Sequence, residues 1–193
     1  METRSDQQAP PLWANWDYLV GAWQGLNIPE GWRLELIEER LVPASPPEYR
    51  HRLIAGTLYR HLVERGPGDA LVFRMASVVI PSRRSLFIPD LLVAPGAQLP
   101  REPVSIPAEK AWLVAEIAPK GQSRDDREIK LWSYAHAGVP LYLLINPRAA
   151  GGPVLELHSE PENAVYRESR IVAFGAAVEL PEPIGFILDT AEF

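Results

Sequence analysis

The chain has 193 residues, of which 47% are hydrophobic and 23% charged, a composition typical of a soluble globular protein rather than a disordered or fibrous one. The absence of cysteine excludes a disulfide framework, thiolate catalysis and cysteine-bound zinc. A formal net charge of −6 argues against a general nucleic-acid coat protein, although it leaves room for a local basic cleft.

Neither the amino terminus nor the composition of the chain suggests a membrane protein. Residues 1–8 are polar and are not followed by an uninterrupted apolar stretch, so we expect no signal peptide and no membrane span. With the lack of cysteine, this predicts a cytoplasmic protein. No internal repeat divides the chain, and we expect one domain over 1–193, made of an N-terminal helical extension at 1–30, a core at 33–147 and C-terminal strands at 153–193.

The first half of the chain predicts two helices separated by a strand pair. In chain order these are a helix with an apolar stripe from Leu12 to Trp23, a strand pair over 32–42, and a helix over 48–65 that stops at Gly66. The strand pair needs a tight turn near Glu38 and Glu39, although neither glycine nor asparagine marks that turn.

The second half predicts a hairpin, a buried strand and a crossover. In chain order these are a hairpin made of 70–80 and 86–93 with a basic loop at 81–85, an apolar strand at 111–117, a helix at 123–137 that is capped by Ser123 and ended by Gly138, and a strand at 141–145. Short apolar runs at Leu155, Val165, Ile171 and Val178 then predict antiparallel strands that extend one edge of the sheet.

Glu116 is the most informative residue, because it stands inside the apolar run 111–117. A carboxylate is costly to bury without a cation, a proton or hydrogen bonds, so its position suggests a functional group. The alternative is that Glu116 lies at the end of the strand and reaches water, which Pro119 and Gly121 shortly afterwards would allow.

Asp90 likewise interrupts apolar residues, in the segment Phe87-Ile-Pro-Asp-Leu-Leu-Val. Taken alone, the Pro89-Asp90 pair also fits a turn. Asp90 and Glu116 are separated by a connection long enough to return the chain, so the two carboxylates could converge on one hard cation. The four histidines show no metal-ligand spacing, and zinc is therefore not expected.

Lys130 lies on the predicted helix after the apolar strand, with Asp126 and Tyr134 at four-residue steps. It could lean toward the sheet. Considered without a family argument, a surface ion pair with Asp126 is the favoured interpretation, although such a pair is worth only about 0.3 kcal/mol.

An ordered series of residues covers roughly 33–147 and resembles a known family. The series is Glu35-Leu-Ile, Ser45-Pro-Pro before a helix opening with His51, Pro89-Asp90, Glu116-Ile117, Asp126, Lys130, Tyr134, Gly138-Val139 and Tyr142. It is similar to the Uma family of putative restriction endonucleases, within the PD-(D/E)XK nuclease superfamily. The resemblance implies a restriction-endonuclease-like α/β fold, with a mixed central sheet flanked by helices and with additional antiparallel strands.

The resemblance also implies roles for particular residues. Asp90 and Glu116 would bind the metal, with the Ile117 carbonyl as a further oxygen ligand. Lys130 would replace the lysine that the wider superfamily holds two residues after the glutamate, where this sequence has Ala118. Lys120 is an alternative to Lys130.

Four positions depart from the family pattern or match it with a less defined role. Glu35 matches the pattern and is added to the catalytic candidates, and His51 is added to the candidates for nucleic-acid contact. Asn146 stands where the family frequently has aspartate, and the turn after Glu38 lacks its usual glycine.

The function predicted from this resemblance is metal-dependent hydrolysis of phosphodiester bonds in DNA, with Mg²⁺ or Mn²⁺ as cofactor. Arg83 and Arg84 are candidates for contacts to the DNA backbone, and the alternative is a solvated hairpin tip. A different class of function remains open, in which the chain keeps the nuclease fold but acts as an inactive nucleic-acid or protein interaction module. A homodimer is also left open.

Overall fold

Three α-helices and thirteen β-strands organise the described part of the chain, which a computed structural model gives for residues 15–99, 105–119 and 124–193. In chain order the elements are α1 (Trp16–Gln24), β1 (Arg33–Ile37), β2 (Arg40–Ala44), α2 (Tyr49–Arg65), β3 (Ala70–Arg74), β4 (Val78–Ile80), β5 (Ser85–Phe87), β6 (Leu91–Pro95), β7 (Ile106–Pro107), β8 (Leu113–Ile117), α3 (Arg124–His136), β9 (Leu141–Asn146), β10 (Val154–Glu162), β11 (Val165–Ala173), β12 (Ala177–Leu180) and β13 (Phe186–Asp189).

A mixed six-stranded sheet with the order β11-β10-β9-β8-β6-β3 forms the centre of the fold. β8 and β9 are parallel and α3 lies between them in sequence, which confirms the predicted strand, helix, strand crossover. β6 pairs antiparallel with β8 on its other side. Every residue of β8 is buried, as expected for a continuous apolar strand in the interior of a sheet.

The six-stranded sheet is covered on both faces, and its strands contribute alternate residues to two apolar cores. Leu113, Ala115 and Ile117 of β8 pack under α2 and the β12–β13 pair. Val114 and Ala118 pack on the opposite face. There, α3 and a five-stranded sheet of order β2-β1-β5-β4-β7 complete the second core. Glu116 belongs to this second face, because successive side chains of a strand alternate.

A long hairpin joins the two sheets, whereas the sequence predicts one simple hairpin from the runs 70–80 and 86–93. β4 and β5 form a hairpin in the five-stranded sheet, while β3 and β6 pair with each other in the six-stranded sheet. The chain changes sheet near Met75, which has a φ of 55°, and at Pro89, which has no N–H to continue a ladder. Asp90 stands at this crossing, and its carbonyl accepts a hydrogen bond from Met75 N at 3.3 Å.

The β1–β2 hairpin turns at Glu38 and Glu39, as predicted. Both residues have a positive φ, 47° and 68°, in a turn that normally prefers asparagine or glycine. Arg83 and Arg84 form ion pairs with Glu38 and Glu39, and the Glu38 N–H donates to Ser85 Oγ at 3.0 Å. The β4–β5 loop therefore supports a turn whose own residues are unfavourable.

The first helix is less covered than its apolar stripe predicts. α1 contains no buried residue, and Leu12 and Trp13 of the predicted stripe lie outside the described residues. The Trp23 indole N–H donates to the Leu34 carbonyl at 2.5 Å and so attaches α1 to β1. None of the helices in the described ranges is both long enough and apolar enough to span a membrane.

The C-terminal strands follow the prediction only in part. β10 and β11 extend the edge of the six-stranded sheet in antiparallel order, and the runs at Val165 and Ile171 belong to one strand. Val178, however, lies in the β12–β13 pair, which forms a separate sheet over one of the apolar cores. The prediction that this run also extends the edge is wrong, because its apolar side chains cover the face of the large sheet.

Candidate active site

The register of the central sheet brings the two acidic residues together. Leu91 of β6 is paired with Ala115 of β8, and continuing this antiparallel register by one residue places Asp90 beside Glu116. Asp90 is 4% exposed and Glu116 is 6% exposed. Glu116 therefore does not simply reach water at the end of its strand.

Three groups hold the Asp90 carboxylate. Oδ1 accepts hydrogen bonds from Arg33 Nη1 and contacts His51 Nε2, each at 2.8 Å. Oδ2 accepts a hydrogen bond from the Ile117 N–H, also at 2.8 Å. Burial alone would raise the pKa of Asp90, but His51, Arg33 and the Ile117 amide outweigh burial and hold this pKa below its usual value.

Lys130 leaves α3 inward and lies between two buried carboxylates. Its Nζ donates to Glu116 Oε1 and to Glu35 Oε1, both at 2.9 Å. Tyr134, one turn later on the same helix, donates from its hydroxyl to Glu116 Oε1 at 3.1 Å. Glu35 Oε1 also accepts a hydrogen bond from the Ile88 N–H at 2.8 Å. The structure thus differs from the surface Asp126–Lys130 pair that the residues alone favour.

One lysine shared between two acids explains how the pKa values of this cluster move. Burial raises the pKa of Glu116 to about 7, and the charges of Glu35 and Asp90 add to the rise against the opposing effect of Lys130. Burial alone would lower the pKa of Lys130, but Glu116 and Glu35 outweigh it and raise this pKa above its ordinary value. Lys130 therefore stays a cation, and Glu116 is the group that lacks compensating charge.

A cleft of about 230 Å³ opens onto this cluster between the five-stranded sheet and the start of α3. It is lined by Arg33, Glu35, Ile37, Val42, Pro43, Ala44, Ser45, Glu116, Ile117, Pro119, Asp126 and Lys130. The β2 residues form one wall and α3 forms the other. A ligand in this cleft would meet charges from both sheets and from the helix.

The donor set fits a divalent cation that keeps part of its water. In the ranges that the structure covers, Asp90 Oδ2 accepts only the Ile117 N–H and Glu116 Oε2 accepts no hydrogen bond. No cluster of three or more His, Asp or Glu side chains suited to a metal occurs there. Mg²⁺ is commonly bound by one or two carboxylates and retains several waters. Asp90 and Glu116 therefore suit Mg²⁺ better than a cation that needs a complete protein cage, and the Ile117 carbonyl, expected as a further ligand, belongs to the residue whose N–H donates to Asp90 Oδ2.

The three residues expected to contact nucleic acid lie either inside the site or in ion pairs with other residues. His51 is 7% exposed and faces Asp90, so it lies inside the site rather than on a surface open to a DNA backbone. Arg83 pairs with Glu38, and its guanidinium carbon lies 3.9 Å from the centre of the Trp132 ring. Arg84 pairs with Glu39.

Two residues of the cluster were not assigned a role from the sequence. Arg33 contacts Asp90, and Tyr134 contacts Glu116. Their spacing could have identified them. Arg33 precedes Glu35 by two residues on a strand and Tyr134 follows Lys130 by four on a helix, so each shares a face with a predicted site residue. Lys120, the alternative lysine, lies outside the described residues.

Comparisons with known proteins agree with this architecture. In a search of solved structures, the chain is similar to a crystal structure from Anabaena variabilis that is described as a putative nuclease belonging to DUF820. The TM-score is 0.64 and the identity 18%, over 84% of this chain and 88% of that one, and this similarity shows the shared fold. No curated protein matches the chain. The family model Uma2, described as "Putative restriction endonuclease", matches residues 21–191. The chain therefore belongs to the Uma2 family.

Proposed function

We propose that this chain is a metal-dependent endonuclease that hydrolyses phosphodiester bonds in DNA. The observation that carries the proposal is the position of Lys130, whose ammonium group lies 2.9 Å from Glu116 Oε1. Both residues line a cleft together with Ile117, whose N–H donates to Asp90. Two buried carboxylates that can hold a metal ion, beside a fixed cation, are groups that can serve phosphodiester hydrolysis. The family is described as a putative restriction endonuclease and the Anabaena protein as a putative nuclease, and both descriptions support cleavage of nucleic acid.

The two carboxylates would hold the cofactor and the remaining residues would organise the substrate. Mg²⁺ between Asp90 and Glu116 would supply a Lewis acid and offset the negative charge that builds on the phosphate. Arg33 and His51 fix the Asp90 carboxylate through Oδ1, which leaves Oδ2 as its less engaged oxygen. This orientation exists before substrate binds, so little reorganisation is required.

Lys130 acts as a fixed positive charge rather than as a base. Glu116 and Glu35 raise the pKa of Lys130, so its ammonium group keeps its proton throughout the neutral range. Glu35 holds Nζ in place and is itself held by the Ile88 N–H. A preorganised cation of this kind stabilises developing charge on a phosphate oxygen more effectively than a mobile one does.

Substitutions of the two carboxylates test the proposal. Asp90→Asn and Glu116→Gln each remove a charged oxygen ligand at nearly constant volume, so both should abolish Mg²⁺-dependent cleavage of plasmid DNA and weaken Mg²⁺ binding in calorimetry. Glu179→Gln, at an exposed position on β12, is the matched control and should cleave normally. Wild-type cleavage rates in both site variants would defeat the assignment. DNA binding by wild-type protein without any cleavage would indicate the noncatalytic module instead.

Lys130 can be tested against another lysine of the chain. Lys130→Met should reduce turnover by about 100-fold or more, the usual loss when one preorganised charge is removed. Mg²⁺ affinity should not fall, because the change removes a competing cation from Glu116. Lys110→Met is the control, since Lys110 lies after β7 and does not line the cleft. If Lys120→Ala instead removes turnover and Lys130→Met does not, the catalytic cation is Lys120.

A further inference from the structure

Arg33 has unused hydrogen-bond donors although it is nearly buried. Its side chain is 10% exposed. Nη1 donates to Asp90 Oδ1 at 2.8 Å and to the Ile88 carbonyl at 3.2 Å. Nε is buried without a hydrogen bond, and within the described ranges Nη2 also has none. One edge of the guanidinium group therefore lacks partners.

This incomplete bonding is costly unless another group completes it. A buried donor such as Nε that gives up water without gaining an acceptor destabilises the folded protein, and more so when the group is charged. Asp90 needs only Nη1, so its contact with Arg33 does not account for the remaining donors. The described part of the chain supplies no acceptor to the Nε and Nη2 edge.

The same side chain borders the proposed substrate cleft. Arg33 and Glu35 are two residues apart on β1, so both point to the same face of their sheet. Glu35 binds Lys130 on that face, and all three line the cleft together with Glu116. The cleft thus contains a second cation, Arg33, which extends into it from β1 on the side opposite α3.

We infer that Arg33 is a substrate-binding residue whose Nε and Nη2 donate hydrogen bonds to the nonbridging oxygens of a DNA phosphodiester. The inference rests on the proposed function. A planar guanidinium presents two parallel donors that match phosphate oxygens, whereas an ammonium group does not. Lys130 faces the same cleft from α3, so one phosphate group would lie between two cations. Arg33 then has two duties, to orient Asp90 through Nη1 and to hold the phosphate through its other edge.

Arg33→Lys separates these duties, because lysine keeps the positive charge near Asp90 but loses the two-donor edge. The test is made in a Glu116→Gln background, so that DNA remains intact, by measuring fluorescence anisotropy of a duplex oligonucleotide without metal. Arg33→Lys should weaken binding about tenfold, the loss expected for one hydrogen bond to a charged group. Arg170→Lys on the edge strand β11 should bind as the parent does. Equal affinity of the Arg33→Lys protein and its parent would overturn the inference.

A second measurement keeps Arg33 unchanged and therefore does not depend on how the variant folds. The ¹⁵N–¹H signal of Arg33 Nε, identified by its loss in Arg33→Lys, should shift and exchange more slowly with water when the oligonucleotide is added to the Glu116→Gln protein. An unchanged Nε signal under saturating DNA would overturn the inference even if wild-type protein cleaves DNA. Absence of DNA binding by the parent would overturn the inference, whereas the proposed function is overturned only if the wild-type protein with Mg²⁺ leaves DNA uncleaved.

Discussion

At the scale of single residues, the site carries more negative than positive charge. Glu35, Asp90 and Glu116 face two permanently charged partners, Arg33 and Lys130. The deficit falls on Glu116, whose pKa is raised to about 7, while the pKa of Asp90 stays below its ordinary value. A proton on Glu116 or a cation near it relieves the same imbalance. Metal binding at this site should therefore compete with protons near neutral pH.

The charge on Glu116 should also make stability depend on pH in metal-free buffer. Because the folded-state pKa is raised from 4.5 to about 7, the contribution of Glu116 to stability is fully present below about pH 4.5 and is lost as the pH rises to about 7. Glutamine cannot ionise, and Lys130 keeps Glu35 as a partner. The free energy of unfolding of Glu116→Gln, relative to wild type, should therefore rise across this interval.

Urea unfolding of both proteins at several pH values between 4 and 8 would measure this difference, with chelator present to exclude bound metal. Glu179→Gln provides the reference for removal of an exposed carboxylate. Parallel stability curves for wild type and Glu116→Gln would mean that Glu116 ionises as easily in the folded protein as in the unfolded chain.

At the scale of elements, the β1–β2 turn shows how one loop compensates for another. Glu38 and Glu39 both take the left-handed conformation, which costs an ordinary residue about 1–2 kcal/mol. Arg83 and Arg84 neutralise them from the β4–β5 loop. These ion pairs, which are only partly shielded from solvent, offset part of the conformational free energy that the turn costs.

Replacing the turn should therefore stabilise the protein. Glu38→Asn/Glu39→Gly supplies the residues that the turn prefers and should raise the free energy of unfolding by about 1 kcal/mol, after the loss of two weak ion pairs. Urea unfolding at low and high salt would separate the contributions, because only the ion pairs are screened. A lower midpoint at low salt would show that the pairs with Arg83 and Arg84 outweigh the backbone cost.

The elements also show how far the sequence could predict this molecule. The apolar run around Glu116 predicts a buried strand, and the structure confirms it as β8 with its crossover to β9. Local patterns also predict strands on both sides of the 81–85 loop, but they contain no information on which sheet each half joins. That assignment depends on the bends at Met75 and Pro89.

Long-range contacts limited the prediction of the site in the same way. Arg33 and Asp90 are 57 positions apart, and no local spacing connects them. The convergence of Asp90 and Glu116 could be anticipated, because both are carboxylates in apolar surroundings. The guanidinium partner could not be anticipated, because an arginine at the start of a predicted strand pair is usually a surface residue and only the assembled sheets bury it.

At the scale of the whole molecule, the net charge of −6 governs how DNA can approach. Long-range repulsion should make binding weak and limit it to few phosphate contacts, so the slope of log affinity against log salt should be shallow. Since Arg83 and Arg84 are engaged by Glu38 and Glu39, the double variant Arg83→Ala/Arg84→Ala should lower the unfolding midpoint. It should leave the slope of log affinity against log salt unchanged. A shallower slope in anisotropy titrations would assign this loop to the DNA interface.

The long hairpin that passes from one sheet to the other has a mechanical consequence. Glu35 belongs to the five-stranded sheet, Glu116 belongs to the six-stranded sheet, and Asp90 lies where the hairpin crosses between them. A cation held by Asp90 and Glu116, together with a phosphate held by Arg33 of β1, would resist separation of the sheets, since drawing them apart would dismantle the binding site. Ligand binding and the packing of the two sheets against each other are therefore thermodynamically linked. The ligands that complete the site for catalysis would therefore also stabilise the packing of the two sheets against each other.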